Sequence, residues 1–153
     1  MKPTLVLTFA FDARQQRVFD VCTQAEHLQK WLAPDVKIDL QVGGAFSTSD
    51  GDKGKFLKVA VPRQLVFSYG HPNLALETEV DVTFSSPGPL AWTEIRIVHK
   101  GLDPKQVDVE SYAWLNDHWQ WLAHNLKRYL DRRGRVVFEQ WRARRQPVFQ
   151  PRP

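Results

Sequence analysis

The sequence predicts an α+β fold with two layers, in which a curved antiparallel sheet packs against one long helix. The first observation is a segment of about six turns, residues 108–131, whose apolar side chains recur at three- and four-residue steps. The second is a series of earlier segments in which apolar and polar residues alternate, as in strands with one buried face. The third is a pair of short helical segments directly after the first strand. A long apolar helix that follows a run of strands indicates that the sheet curves around it.

The first strand is predicted over residues 5–11, and two short helices follow it. The apolar face of the strand is formed by Leu5, Leu7, Phe9 and Phe11. Asp12, with Gln15 three residues later, is typical of a capped helix start. The second helical segment, residues 25–32, is expected to end before Pro34, because a proline disfavours helical geometry in the residue preceding it.

Six further strands are predicted from their two-residue periodicity. They span residues 36–42, 45–48, 55–61, 64–69, 77–84 and 92–100, with turns or loops at 43–44, 49–54 and 85–90. The side chains expected to face inward from the two middle strands are Leu57, Val59 and Val61, followed by Leu65, Phe67 and Tyr69. In the last strand the alternation turns His99 towards the same interior as Ile95 and Ile97.

The long helix is expected to begin after Asp108, which can cap it, and to end before Gly134. Its apolar stripe consists of Tyr112, Leu115, Trp119, Leu122, Leu126 and Tyr129 or Leu130. One stripe cannot hold all three tryptophans of this segment, so Trp119 is placed within it, and Trp114 and Trp121 towards its edges.

Composition indicates a single domain of ordinary size. The chain has 153 residues, 42% of them hydrophobic, which is enough for a substantial core. The one cysteine, Cys22, excludes an internal disulfide and indicates a reducing compartment. The N-terminal residues show no signal-peptide pattern, and no apolar run approaches ~18 residues. We therefore expect a cytoplasmic protein that does not insert into a membrane.

The positive charge is concentrated at the C-terminus. The net charge is +4, but residues 132–153 contain seven arginines and one glutamate, which leaves 14 basic and 16 acidic residues in residues 1–131. The predicted organisation is a domain over residues 1–131 and a basic tail over residues 132–153. The domain lacks the basic excess of a nucleic-acid-binding surface, so nucleic acid is not an expected partner.

Three interpretations of the tail remain open: a solvated end, a short amphipathic helix that docks on its own domain or on a second copy, and a site for an anionic partner. If the tail helix docks on a second copy of the chain, the protein is a homodimer, because a self-complementary apolar surface needs no other partner.

Four sequence blocks resemble the helix-grip (START-like) superfamily, and specifically its branch related to the activator of the Hsp90 ATPase. The blocks are Trp31-Leu32-Ala33-Pro34, Gly43-Gly44-Ala45-Phe46, Gly54 leading to the segment 61–69, and the segment 93–102, followed at a distance by Trp119 and Leu126. The resemblance covers about residues 5–131. It implies a strongly curved antiparallel sheet wrapped around the last helix, with a cavity between them. It does not imply one chemistry, since relatives include ligand carriers, cyclases and regulators.

Candidate ligand-binding residues are the aromatic side chains expected between helix and sheet, together with one histidine. They are Trp31, Phe46, Phe67, Tyr69, His99, Tyr112 and Trp119. Core packing alone would also account for most of the aromatic residues. A buried neutral His99 would either orient a polar ligand, act as a general base, or simply bond a neighbouring backbone group.

No metal or cofactor site is expected. His118 and His124 are six residues apart and cannot share a helix face as metal ligands do. The chain also lacks a glycine-rich phosphate loop and a Cys/His pair, and the acidic residues of the strands fall on their polar sides.

Three functions are compatible with the sequence. The first is a binding protein that holds a small hydrophobic ligand between the sheet and the last helix. The second is an enzyme of cyclase or hydrolase type that uses the same cavity. The third is a protein-interaction module resembling the Hsp90 activators.

Overall fold

A computed structural model of the chain describes residues 4–88 and 92–145, with the side chain of Arg145 left out. The strands are β1 Leu5–Phe11, β2 Val36–Ile38, β3 Ala45–Thr48, β4 Lys53–Ala60, β5 Gln64–Tyr69, β6 Thr78–Ser85 and β7 Thr93–Lys100. The helices are α1 Gln15–Val21, α2 Ala25–Trp31, α3 Val109–Leu130 and α4 Phe138–Arg145. Parts of the predicted loop 85–90 and of the predicted tail lie outside the described residues.

The strands form one antiparallel sheet in the order β1-β7-β6-β5-β4-β3-β2. In its centre the predicted alternation is correct, because the inward side chains of β6 and β7 are all buried. They are Thr78, Val80, Val82 and Phe84 from β6 and Thr93, Ile95, Ile97 and His99 from β7. The prediction of an α+β helix-grip fold, with two short helices after the first strand, is confirmed.

Helix α1 begins without the predicted cap. Arg14 occupies the N-cap position and makes no side-chain capping bond. The Gln15 amide instead donates to the carbonyl oxygens of Pro62 and Phe84, at 3.0 Å each. These long-range bonds tie α1 to the sheet, and they replace the local bond that the spacing suggested.

The predicted strand over residues 36–42 is only three residues long in the structure. After Ile38 the chain turns, and the Gly44 N–H donates to the Gln41 carbonyl at 2.8 Å. Gly43 has a φ of +83°, a conformation that favours glycine. The alternation was wrong here, and Val42 is 68% exposed, because the glycines end the strand early.

Strand β4 contains an irregularity that turns outward one of its three residues predicted to face inward, Leu57, whereas Val61 lies beyond the end of the strand at Ala60. The register with β5 shifts between Phe56 and Lys58, so one extra residue is inserted. Phe56 is 3% exposed, whereas Leu57 and Val61 are 50% and 56% exposed. Val59, beyond the bulge, packs against the core as predicted. A bulge changes which side of the strand faces inward, and a strict period of two cannot represent it.

Helix α3 closely matches its predicted limits. The Asp108 side chain accepts from the Ser111 N–H at 2.7 Å and caps the helix start. At the end, the left-handed conformation is adopted by Arg132, with a φ of +61°, rather than by Gly134.

The segment after α3 packs on the outer face of that helix. Trp121 Nε1 donates to the Val136 carbonyl at 2.7 Å, and the Asn125 side chain both donates to that carbonyl and accepts from the Val136 N–H. Arg142 Nε lies 3.0 Å from an Asp117 carboxylate oxygen. Trp121 is therefore 1% exposed and lies beneath this segment, not at the edge of a stripe.

Candidate functional site

Two adjoining cavities lie between the sheet and α3. The first has a volume of about 120 Å³ and the second about 130 Å³. Residues that border both are Cys22, Leu65, Phe67, Trp119 and Leu122. Burial raises the pKa of the Cys22 thiol to about 12, so this wall is unreactive as well as apolar. The two cavities thus adjoin each other under the helix, and together they are called the chamber.

Aromatic rings form much of the wall of the first cavity. Phe46 meets Phe67 edge to face at 5.2 Å between ring centroids, and Phe56 lies 5.6 Å from Phe46. Tyr69 and Trp119 complete this wall, with ring centroids 6.4 Å apart. Gly54 permits the close packing, because a Cβ at this position would collide with the Phe46 ring and the Ser68 carbonyl.

A polar cluster, formed by Thr48, Asp52, Tyr69 and His118, lies at one end of the first cavity. The Tyr69 hydroxyl donates to Asp52 Oδ1 at 2.6 Å, and the Thr48 hydroxyl donates to Oδ2 at 2.7 Å. Asp52 is only 7% exposed. Burial, followed by the nearby Asp52 charge, raises the pKa of Tyr69 well above its ordinary value, so this phenol stays protonated.

His118 forms the side of the polar cluster that faces the C-terminal segment. Its Nε2 is 3.7 Å from Asp52 Oδ1, and its ring stacks on Trp114 at 4.8 Å between centroids. Burial lowers the pKa of His118 to about 4, although Asp52 acts in the opposite direction. The imidazole is therefore neutral at pH 7, and at 3.7 Å it is also beyond hydrogen-bonding distance of the carboxylate.

His99 lies behind the cavity wall with both ring nitrogens engaged. Trp119 Nε1 donates to Nδ1 at 3.0 Å, and Nε2 is 2.7 Å from the Thr78 hydroxyl. Since Nδ1 accepts, Nε2 carries the proton and donates to Thr78, whose hydroxyl in turn donates to the Tyr69 carbonyl at 3.2 Å. Burial lowers the pKa of His99 to about 3. His99 thus connects β6, β7 and α3, in an arrangement typical of a structural histidine.

The structure brings most of the candidate residues together. Phe46, Tyr69, Phe67 and Trp119 line the first cavity. Trp31 lines the second, and its Nε1 donates to the Val21 carbonyl at 2.8 Å. Tyr112 is half-buried at the edge of the core and borders neither cavity, and neither does His99.

Sequence reasoning missed the most polar part of the chamber. The expectation that no acidic side chain faces inward was wrong at Asp52, which lies in the polar run interpreted as a turn. Counting back in steps of two from Phe56, through Gly54, places Asp52 on the inward side, so a signal was present. The sequence also indicated that His118 faces inward, since it lies three residues after Leu115 and four before Leu122, on the same face of the helix.

Residues 4–88 and 92–145 contain no group of three His, Cys, Asp or Glu side chains close enough to hold a metal ion. No helix within the same ranges is long and apolar enough to cross a bilayer.

Comparison with solved structures shows the fold clearly. CalU16 from Micromonospora echinospora is 22% identical, with a TM-score of 0.73, over 92% of this chain and 81% of that one. PFC0360w, an HSP90 activator from Plasmodium falciparum, is 21% identical, with a TM-score of 0.72, over 84% and 96%. The Aha1 dimer from Colwellia psychrerythraea is 17% identical, with a TM-score of 0.69, over 82% and 94%. At these identities the likeness shows the fold alone.

Comparison with curated proteins gives no match. The model of the family "Activator of Hsp90 ATPase homolog 1-like protein" does match, over residues 12–131, which include β2–β7, both short helices and all of α3. The chain therefore belongs to the Activator of Hsp90 ATPase homolog 1-like protein family.

Proposed function

We propose that the chain binds a small, largely apolar molecule in the chamber between the sheet and α3. The observation that carries the proposal is the pair of adjoining cavities, about 120 and 130 Å³, in a core that would otherwise be close-packed. An engineered apolar cavity of ~150 Å³ is large enough to take up benzene. A molecule with one or two rings is therefore the appropriate size class.

The lining supports binding over simple packing. Ligand sites are mostly apolar with a few placed polar groups, and the chamber has this composition, with aromatic and aliphatic walls and polar groups only at one end. An enzymatic role based on His99 has less support, because Trp119 and Thr78 occupy both of its nitrogens.

Binding can be tested with toluene and benzyl alcohol as probes, measured by the shift in melting temperature and by isothermal titration. A ligand that binds only the native state raises the stability by RT ln(1 + [L]/Kd). Leu122→Trp should fill the chamber at a position that borders both cavities and abolish the shift. Val109→Trp is the matched control, since Val109 is 88% exposed and the same residue is introduced on the same helix. Equal shifts in wild type and Leu122→Trp would contradict the proposal.

An Hsp90-activator-like interaction module is the second candidate, and family membership favours it. This role requires an exposed surface, and Leu57 and Val61 are apolar residues exposed near the bulge of β4. A double Leu57→Ser, Val61→Ser variant should lose binding to purified Hsp90 while retaining toluene binding. If the wild-type protein binds toluene but does not bind Hsp90, the chamber is favoured as the functional site.

Self-association remains a third prediction, and the Colwellia psychrerythraea relative is described as a dimer. The apolar side of the tail is largely engaged within its own chain, since Phe138 packs against Trp114 and Trp121 of α3. A dimer would therefore use another surface, or exchange this segment between copies. Sedimentation of the full chain at several concentrations distinguishes monomer from dimer directly.

A further inference from the structure

The buried carboxylate at the end of the chamber is surrounded by neutral partners. Asp52 accepts from two uncharged hydroxyls, those of Tyr69 and Thr48. Within the described ranges, the single basic side chain within 4 Å of the carboxylate is His118, at 3.7 Å. Buried carboxylates are normally paired with a positive charge, because losing hydration without one is costly.

His118 does not supply that charge near neutral pH. Its side chain is 6% exposed, and burial lowers the pKa of the ring to about 4. The arginine and lysine pairs of the described residues lie elsewhere, with Arg135 on Asp50, Arg142 on Asp117 and Lys100 on Glu79. Asp52, which borders the first cavity, is thus left without a cation from the described side chains.

The aromatic rings that line the same cavity as the carboxylate favour the same kind of ligand. Phe46, Phe56, Tyr69 and Trp119 line the cavity that Asp52 borders. Aromatic faces carry a negative quadrupole and attract cations, most strongly where water is excluded. A carboxylate with remaining lone pairs, in a cavity lined by several rings, is well suited to an ammonium group and unsuited to an anion.

We propose that the ligand of the chamber is an apolar amine, whose protonated nitrogen is bound by Asp52 while its ring or alkyl part lies among the aromatic side chains. This inference rests on the proposed function and specifies the class of molecule bound. The Tyr69 and Thr48 hydroxyls act as positioning groups, since they hold both carboxylate oxygens in place.

Three probes of similar size and shape test the charge preference: benzylamine, benzyl alcohol and benzoate, each titrated at pH 7. A charge-assisted hydrogen bond contributes ~1.5–3 kcal/mol, which corresponds to about a 10- to 100-fold difference in Kd. Benzylamine should therefore bind at least about tenfold more tightly than benzyl alcohol, and benzoate most weakly.

The matched variants are Asp52→Asn and Asp35→Asn. Asparagine at 52 keeps the size and can still accept from Tyr69, so the amine preference should fall to within about threefold of the alcohol. Asp35 is exposed, and removing its charge should leave the preference unchanged. If both variants lose the preference for benzylamine, that preference arises from the electrostatic field of the whole protein and not from Asp52, and the proposal is overturned.

A second measurement needs no variant and remains valid if Asp52→Asn fails to fold. Raising the pH from about 7 to about 10.5 removes the proton from an amine, so benzylamine binding should weaken at least about tenfold while benzyl alcohol binding stays constant. Tyr69 does not interfere, because burial raises its pKa well above the ordinary value.

The outcomes separate the two proposals. If benzyl alcohol binds and benzylamine binds no better, the amine inference is wrong and the apolar binding function stands. If toluene and all three of these probes fail to bind, the binding function itself is wrong.

Discussion

Replacing Trp119 by alanine tests whether α3 is attached to the sheet through the face that borders the chamber. Trp119 is 9% exposed and lines both cavities. Its Nε1 donates to His99 Nδ1 at 3.0 Å, and its ring lies 6.4 Å from that of Tyr69. One side chain therefore combines helix–sheet packing with the buried hydrogen bond that fixes the protonation of His99.

Two costs determine the expected loss of stability. Enlarging a cavity costs ~24 cal/mol per Å³, so about 100 Å³ of additional space corresponds to about 2.4 kcal/mol. Removing the indole N–H also leaves the buried His99 Nδ1 without its donor, at a cost of ~1–3 kcal/mol. Together these give a loss of about 4 kcal/mol, within the ~3–5 kcal/mol found for buried tryptophan to alanine changes.

Urea unfolding followed by far-ultraviolet circular dichroism measures this loss. Trp119→Phe removes the donor but keeps most of the apolar ring contact, so it should lose less than Trp119→Ala, about 1–3 kcal/mol. Val109→Ala is the exposed control on the same helix and should change stability by no more than about 0.5 kcal/mol. A loss below about 1 kcal/mol for Trp119→Ala would refute the assigned orientation of α3.

Three further predictions concern other parts of the chain. Burial lowers the pKa of His118 from 6.5 to about 4, so as the pH falls the unfolded chain binds this proton before the folded chain does. The stability that neutral His118 contributes is therefore complete above pH 6.5 and is lost as the pH falls towards 4. His118→Gln should flatten the fall in urea midpoint between about pH 7 and pH 5. An unchanged slope would show that other groups dominate. The Asn125→Asp side chain can still accept from the Val136 N–H but cannot donate to the Val136 carbonyl, so the variant should lose about 2 kcal/mol of unfolding free energy. Trypsin should also cleave it faster after α3, and cleavage at the wild-type rate would contradict this expectation. Phe56→Ala should lower the free energy of unfolding by ~3–5 kcal/mol, whereas Leu57→Ala should lower it by under ~0.5 kcal/mol. The opposite order in urea unfolding would disprove the assigned bulge in β4.

The order and type of the elements could be predicted from the sequence because their signals are local. A helix repeats every 3.6 residues and a strand every two, and the side chains of α3, β6 and β7 follow these periods over seven residues or more. The Asp108 cap is likewise local, since donor and acceptor are three residues apart. Most of the aromatic candidates followed from the same periodicities, and the structure places them around the chamber.

The remaining features depend on contacts between distant segments. The bulge that exposes Leu57 is a mismatch between two strands and has no signature within either of them. Trp121 is buried because the chain returns over α3 after a turn, and the Asn125 bonds to Val136 hold it there.

The assembly of the polar end of the chamber was decided by tertiary structure, because the local signals that turn Asp52 and His118 inward do not show that the two side chains meet. Asp52 lies in a run of polar residues whose composition is that of a solvated turn. Tyr69, on another strand, and His118, on α3, surround it only after the sheet has curved around the helix. Charge and polarity are properties of single residues and can be read from a sequence, whereas burial of a charge depends on what the rest of the chain places around it.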